Sequence, residues 1–321
     1  MMAEAQGDDD DDIFVFMGGD QRVPDEVRRA RIHKSVKIVR ALAFHRRWEL
    51  LTYIEFHDGV EIIEEHAFTG CWRLKGPIKL LGVKIIKNFA FGQCDGLTAV
   101  EFGDHLETIE ASAFTSCEAL KKIRMPTVRT IGVGAFASCY ALSEVECGEG
   151  LRTIQEEAFR ACDKLERIAL PLKDGIIRGG VFYRCPMLTA VHLVGGIHQT
   201  VASLQLESWR SQMIDEINRI NQILPTTDYT HKTPKIQQWM ESSFHQLDHY
   251  KSEHHQMLKE ATTLLELALW KANLDDNGGD RIDREGIRTT RGSRKRARKE
   301  ICVTSGASIV IKNVLPFLVL K

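Results

Sequence analysis

The sequence predicts an α/β repeat solenoid, in which short parallel strands and tight loops wind into a coil, followed by a pair of helices, one of them long. Three observations carry this. Phenylalanine recurs at Phe44, Phe68, Phe91, Phe114, Phe136, Phe159 and Phe182, at gaps of 24, 23, 23, 22, 23 and 23 residues. Three further columns keep that register: an aliphatic residue five before each Phe (Val39 to Ile177), Cys three after it (Cys71 to Cys185) and Leu six after it (Leu74 to Leu188). Past Gly196 the apolar period changes to a helical one. Self-similarity at a fixed period of 20–50 residues is the mark of stacked units, none of which can bury its apolar face alone.

The elements follow in order. Residues 1–12 carry Glu4 and Asp8–Asp12, a charge of −6, and read as a disordered acidic head. Ile13–Phe16 is apolar and is expected to cover the edge of the first strand. Each unit closes on an alternating I-x-L strand with two inward residues: Ile54–Phe56, Ile78–Leu80, Val100–Phe102, Ile123–Met125, Val145–Cys147, Ile168–Leu170 and Val191–Leu193, with a half-copy at Val27–Ile32. The solenoid is expected over residues 13–200. Asp174 replaces an aliphatic residue before Phe182, so the last turn is expected to be looser.

Residues 201–274 form the helical part. Leu206, Trp209, Met213, Ile217, Ile220 and Leu224 fall at helical spacing before Pro225. Thr233 is the expected N-cap of the next helix, with Pro234 at its first position. From Ile236 to Ala268 the gaps alternate between four and three, the repeat of a coiled-coil seam. Its interaction stripe is Trp239, Leu247, Tyr250, Met257 and Leu264. A helix over 234–273 is about 60 Å long, against about 38 Å for eight stacked strands. Two arrangements are open: the first helix caps the solenoid and the long one folds back on it, or the long helix (234–273) pairs with a second copy. Residues 275–300 read as a disordered basic linker and 301–321 as an apolar segment that docks on the folded body.

These units resemble the leucine-rich repeat of the BspA-like type, with A-F-x-x-C-x-x-L ahead of the strand, over about residues 27–195. The wider organisation, with L-E-L-A-L-W-K-A at Leu265–Ala272, is similar to that of repeat proteins of diatoms and related algae. The resemblance implies a right-handed leucine-rich-repeat coil used for protein binding, with no chemistry. The first copy departs from the pattern, having Arg47 where Cys is expected.

The outward strand positions are the candidate partner-binding face. One row reads Glu55, Lys79, Glu101, Arg124, Glu146, Ala169, His192; the other, Tyr53, Pro77, Ala99, Lys122, Glu144, Arg167, Ala190. Neighbouring strands lie about 4.8 Å apart, so opposite signs fall on adjacent rungs and stabilise the stack by roughly 0.2–1 kcal/mol per pair. Phosphate binding wants one sign, so this face argues against nucleic acid; its less charged ends suit a protein.

Six of the eight cysteines stand one per repeat rather than as C-x-x-C pairs, and read as small buried apolar groups rather than zinc ligands or disulfides. His245, His249, His254 and His255 lack an H-E-x-x-H pattern. No metal, cofactor or catalytic residue is expected, because no phosphate loop, dinucleotide fingerprint or nucleophile elbow occurs. No apolar run reaches the ~20 residues of a membrane helix, and the acidic head lacks the pattern of a secretory signal. The expectation is an intracellular interaction module or scaffold with an unknown protein partner, cytoplasmic or nuclear. The alternative is a nuclear adaptor whose basic signal, Arg294, Lys295, Arg296, Arg298 and Lys299, gives import or weak nucleic-acid contact.

Overall fold

Each repeat delivers two strands rather than one. The computed structural model describes residues 13–45, 50–194 and 206–277. The expected strands form one row of nine in chain order: β1 (Phe14–Phe16), β2 (Arg29–Ile32), β4 (Tyr53–Glu55), β6 (Gly76–Leu80), β8 (Leu97–Phe102), β10 (Lys122–Met125), β12 (Glu144–Cys147), β14 (Arg167–Leu170) and β15 (Ala190–Leu193). Their pairings are parallel, in ladders β1-β2-β4, β6-β8 and β10-β12-β14-β15. Ile13–Phe16 covers the first edge as expected: β1 pairs with β2, and Phe16 is buried.

The second row was not anticipated. The aliphatic residue before each Phe closes a two-residue strand: β3 (Ile38–Val39), β5 (Ile62–Ile63), β7 (Ile85–Ile86), β9 (Thr108–Ile109), β11 (Thr130–Ile131) and β13 (Thr153–Ile154), parallel in that order. In the last coil this row shrinks to a single bridge, Ile154 to Ile177. There Asp174 is exposed, whereas its counterparts Val128 and Leu151 are buried, so the apolar contact that pins the strand is missing.

Between the two rows lie the repeat columns. The seven Phe rings from Phe44 to Phe182 are fully buried. They stack within 17° of parallel, at centroid distances rising from 4.8 Å (Phe44–Phe68) to 6.2 Å (Phe159–Phe182). Such aromatic contacts add about 0.5–1.5 kcal/mol each beyond burial. Each repeat cysteine donates its thiol hydrogen to the carbonyl of the Phe one coil earlier, as Cys117 to Phe91 (3.2 Å) and Cys185 to Phe159 (3.0 Å). The thiol is thus small enough for a crowded column and still satisfies a backbone acceptor. Two residues per coil turn in the left-handed region, at Phe−2 (Ser112, φ 54°; Gly134, φ 58°) and Phe+2 (Ser116, φ 57°; Ser138, φ 61°).

Two helices follow, α1 (Glu207–Ile223) and α2 (Lys232–Asn277), joined through a 3-10 turn at Leu224–Thr226. The chain divides into two compact units, Met1–Thr200 with Ile214–Phe244, and Val201–Met213 with His245–Lys321. In the first unit Ile217, Ile220, Leu224, Ile236, Trp239 and Met240, from the end of α1, the 3-10 turn and the start of α2, join the solenoid core. In the second, Trp209 stacks on Tyr250 (5.1 Å, 8°), and the Tyr250 hydroxyl donates to Gln212.

The start of α2 differs from expectation. The helix begins at Lys232, and Thr233 does not cap it. Its hydroxyl oxygen accepts the Phe182 N–H instead (2.9 Å), while Asp228 Oδ1 takes the Thr230 N–H just upstream of the helix. The local Thr-Pro signature lost to a tertiary partner. The acidic head, Arg47, and residues 278–321 with the basic block and apolar end lie outside the described residues.

Candidate functional site: the strand face and its charge ladders

Alternation of side chains along a strand sends one set to the core and the next outward, and parallel register places equivalent outward residues on adjacent rungs. The register pairs Arg31 with Glu55, Lys79 with Glu101, Arg124 with Glu146, Lys122 with Glu144, and Glu144 with Arg167. All five pairs close as ion pairs: 2.7 Å for Arg31–Glu55, 3.6 Å for Lys79–Glu101, 3.3 Å for Arg124–Glu146, 2.8 Å for Lys122–Glu144 and 3.6 Å for Arg167–Glu144. Glu144, bridging two cations, has its carboxyl held below the usual range, first by the hydrogen bond from Lys122 and then by the charges of Lys122, Arg167 and His192.

The uncharged outward positions, Tyr53, Pro77 and Ala99 and then Ala169 and Ala190, fall towards the two ends of the row. At one end Tyr53 is 40% exposed and carries the Arg29 guanidinium over its ring at 5.4 Å. At the other, Ala169 lies opposite the exposed His192, and Arg167 opposite Ala190. The middle forms a shallow groove of about 580 Å³ whose lining includes Glu101, Asp104, Lys122, Arg124 and Glu146.

A further ladder, missed from the sequence, lies on the second sheet. Glu61 receives Lys84 at 2.7 Å and Lys37 at 3.8 Å, and the hydrogen bond from Lys84 lowers its carboxyl pKa. The signal was present: the residue seven before each Phe runs Lys37, Glu61, Lys84, Glu107, Arg129. Strands of two residues are too short to show a period that would place these charges on one face.

Of the helix stripe, Trp239, Leu247 and Tyr250 are buried within the chain itself; the Trp239 indole donates to the Glu216 carbonyl at 3.1 Å. Met257 is half-buried, and Leu264 is 57% exposed. Among the described residues no group of three or more His, Cys, Asp or Glu is placed to hold a metal, and no helix is long and apolar enough to cross a membrane. The repeat thiols are buried, and burial pushes Cys71 and Cys139 up to about 12, which removes the thiolate a nucleophile needs.

Parallel strands in stacked coils, with Phe, Cys and Leu columns between them, define a leucine-rich-repeat type of β-solenoid. Residues 37–126 and 77–189 match the BspA type leucine rich repeat region, in six copies, and the repeat region of this chain belongs to that family. No curated protein matches the chain significantly. Among solved structures it is similar to a leucine rich repeat protein of T. pallidum: 31% identity, 45% of this chain and 67% of that one, TM-score 0.40. A leucine rich cell surface protein of Faecalibacterium prausnitzii matches at 24% identity over 57% of this chain and 47% of that one, TM-score 0.43. A leucine-rich repeat protein of Bacteroides ovatus matches at 22% over 52% and 55%, TM-score 0.39. The chain thus spans about half the length of the last two. These structures are bacterial and lend no support to the algal likeness of the wider organisation.

Proposed function

We propose that this chain is a non-catalytic protein-interaction module or scaffold, acting inside the cell and recognising a protein through the strand face. The observation that carries this is the charge ladder. A partner that covers the middle of the row must break or match the three ion pairs that meet on β10, β12 and β14, so recognition falls on the outward positions that carry no ion pair, Tyr53, Pro77 and Ala99 towards one end and Ala169, Ala190 and His192 at the other. Tyrosine is among the residue types enriched in binding hot spots, and a polar, solvent-accessible rim surrounds them.

Quantitative affinity capture with three versions of the full chain tests it: wild type, a strand-face variant (Tyr53→Glu with Ala169→Glu), and a second-sheet variant (Glu61→Gln). Proteins retained by wild type and Glu61→Gln and lost from the strand-face variant are expected. The same set on all three sinks the proposal. A second reading, a nuclear adaptor, draws on the block Arg294–Lys299; deleting 288–299 and following the chain's distribution between nucleus and cytoplasm separates an address from an incidental tail.

A further inference from the structure

Past Tyr250, α2 carries an apolar stripe that no described residue of its own unit covers. Leu264, Leu267, Leu269 and Trp270 are 57%, 55%, 53% and 63% exposed. At 100° per residue, Leu264, Leu265, Leu267, Ala268 and Leu269 span more than half of the helix circumference. Four large side chains more than half exposed within seven residues exceed the scattered apolar exposure of an ordinary surface.

The same chain holds a second unaccompanied apolar stretch. Nine of the twelve residues Ile309–Leu320 are Ile, Val, Leu or Phe. Residues 278–308 connect it to the end of α2, and chain-length statistics give about 30 residues a root-mean-square reach of roughly 30 Å. The stripe lies 7–13 residues before Asn277, about 10–20 Å back along the helix. Reach and distance are therefore matched, the condition for a high effective concentration, on the order of millimolar. A second copy at micromolar concentration competes at a disadvantage of about a thousandfold. Charge points the same way: residues 245–277 hold six acidic and three basic side chains, and residues 281–300 hold nine basic and three acidic, so the connecting chain is drawn back along the helix rather than away from it.

We propose that Ile309–Leu320 docks in cis on the Leu264–Trp270 stripe of α2, making the stripe a site held by the chain's own end, which a partner of this helix has to displace. This stands apart from the strand-face reading and survives or fails without it.

Trp270 is the reporter. Its share of the fluorescence is the difference between the full chain and its Trp270→Phe variant, and its accessibility is read by acrylamide quenching, beside sedimentation velocity, over a hundredfold range of protein concentration. In the full chain Trp270 is expected to be quenched several-fold less than in the full-length double variant Leu315→Asp/Phe317→Asp, at every concentration and with a monomer throughout. Leu267→Glu, on an exposed position that folding does not use, is expected to raise quenching to the same level. Equal quenching of Trp270 in the wild type and the double variant overturns the proposal. So does protection that grows with concentration alongside a dimer, since the occupant is then a second copy.

Discussion

At Gly148 a Cβ would lie 1.6 Å from the Pro126 carbonyl oxygen of the neighbouring coil. The coils approach there through bare backbone, and no rotamer relieves the clash. Gly148→Ala is expected to lower stability by about 3 kcal/mol, the upper range for overpacking, read as a shift of the urea midpoint at unchanged slope. The left-handed positions ask for the reverse. Ser116 sits at φ 57° where the second repeat has Gly70 at φ 76°. An L-residue there costs roughly 1–2 kcal/mol, and glycine's extra freedom in the unfolded chain returns roughly 0.4–1. Ser116→Gly is therefore expected to raise stability by up to about 1 kcal/mol, and a lower midpoint would refute the account. The thiols supply a pH dependence. Cys71, Cys139 and Cys147 are pushed up to about 12, and Cys94, Cys117 and Cys162 also well upward, each first by burial. Above the unfolded thiol value near 9 the unfolded chain releases protons that the native chain keeps, so stability falls as pH rises. Below 9 the contribution is intact. Each thiol adds a slope of up to about 1.4 kcal/mol per pH unit between about 9 and 12. Cooperative alkaline unfolding near pH 10, with these thiols unreactive until it occurs, is the expected titration.

At the scale of elements the question is how a sheet of parallel strands ends without offering its edge to another chain. Inside the solenoid each Phe N–H donates to the next coil, as Phe136 to Ala158 at 2.8 Å. The last coil has no next coil, and single side chains stand in for it. Asn221 accepts the Val191 N–H at 2.9 Å and donates to its carbonyl at 3.1 Å. Thr233 takes the Phe182 N–H, the buried Lys232 ammonium donates to the Pro186 and Leu188 carbonyls at 2.7 and 2.5 Å, and Gln237 donates to Ile177 at 2.9 Å. At the opposite end Gln21 does for β1 what Asn221 does for β15, accepting the Met17 N–H at 2.5 Å and donating to the Val15 carbonyl at 3.5 Å. Asn221→Ala leaves both Val191 groups unpaired, at about 1–3 kcal/mol. Hydrogen exchange is expected to speed up at Val191 and stay unchanged at Phe114 in the interior; uniform acceleration would mean the amide is not an end-cap. None of these caps was legible beforehand, for a physical reason. The core columns repeat seven times and announce themselves, and β1 shows as an isolated apolar tetrapeptide. Asn221, Lys232 and Gln237 each occur once, at polar positions like those of any solvated helix face. Thr233 misled because its local rule was satisfied while its hydroxyl was committed 51 residues away. The short strands escaped notice because two residues are too few to show a period.

Over the whole molecule, 43 basic side chains stand against 44 acidic ones, and the balance has a structural cause in the body and none in the ends. In the ladders of the solenoid opposite signs are adjacent, so each cation paired there faces a carboxylate within 3.6 Å and presents little field to a distant polyanion. Each exposed pair contributes only about 0–1 kcal/mol, and a duplex laid on this face is expected to gain little release of counterions from phosphates. Nine of the basic residues lie instead in residues 281–300, against three acidic ones. Any affinity of the chain for nucleic acid is therefore expected to come from there. Its dependence on salt, plotted as log K against log salt concentration, is expected to be no steeper than about −8, the limit for nine phosphate contacts. Deleting 288–299 should remove nearly all of the binding, whereas Lys122→Gln and Arg124→Gln should leave both affinity and slope unchanged, since each removes a charge already answered by Glu144 or Glu146. A loss of affinity in either point variant would mean that the ladders open in the presence of phosphate and that the strand face, despite its closed pairs, is a polyanion surface.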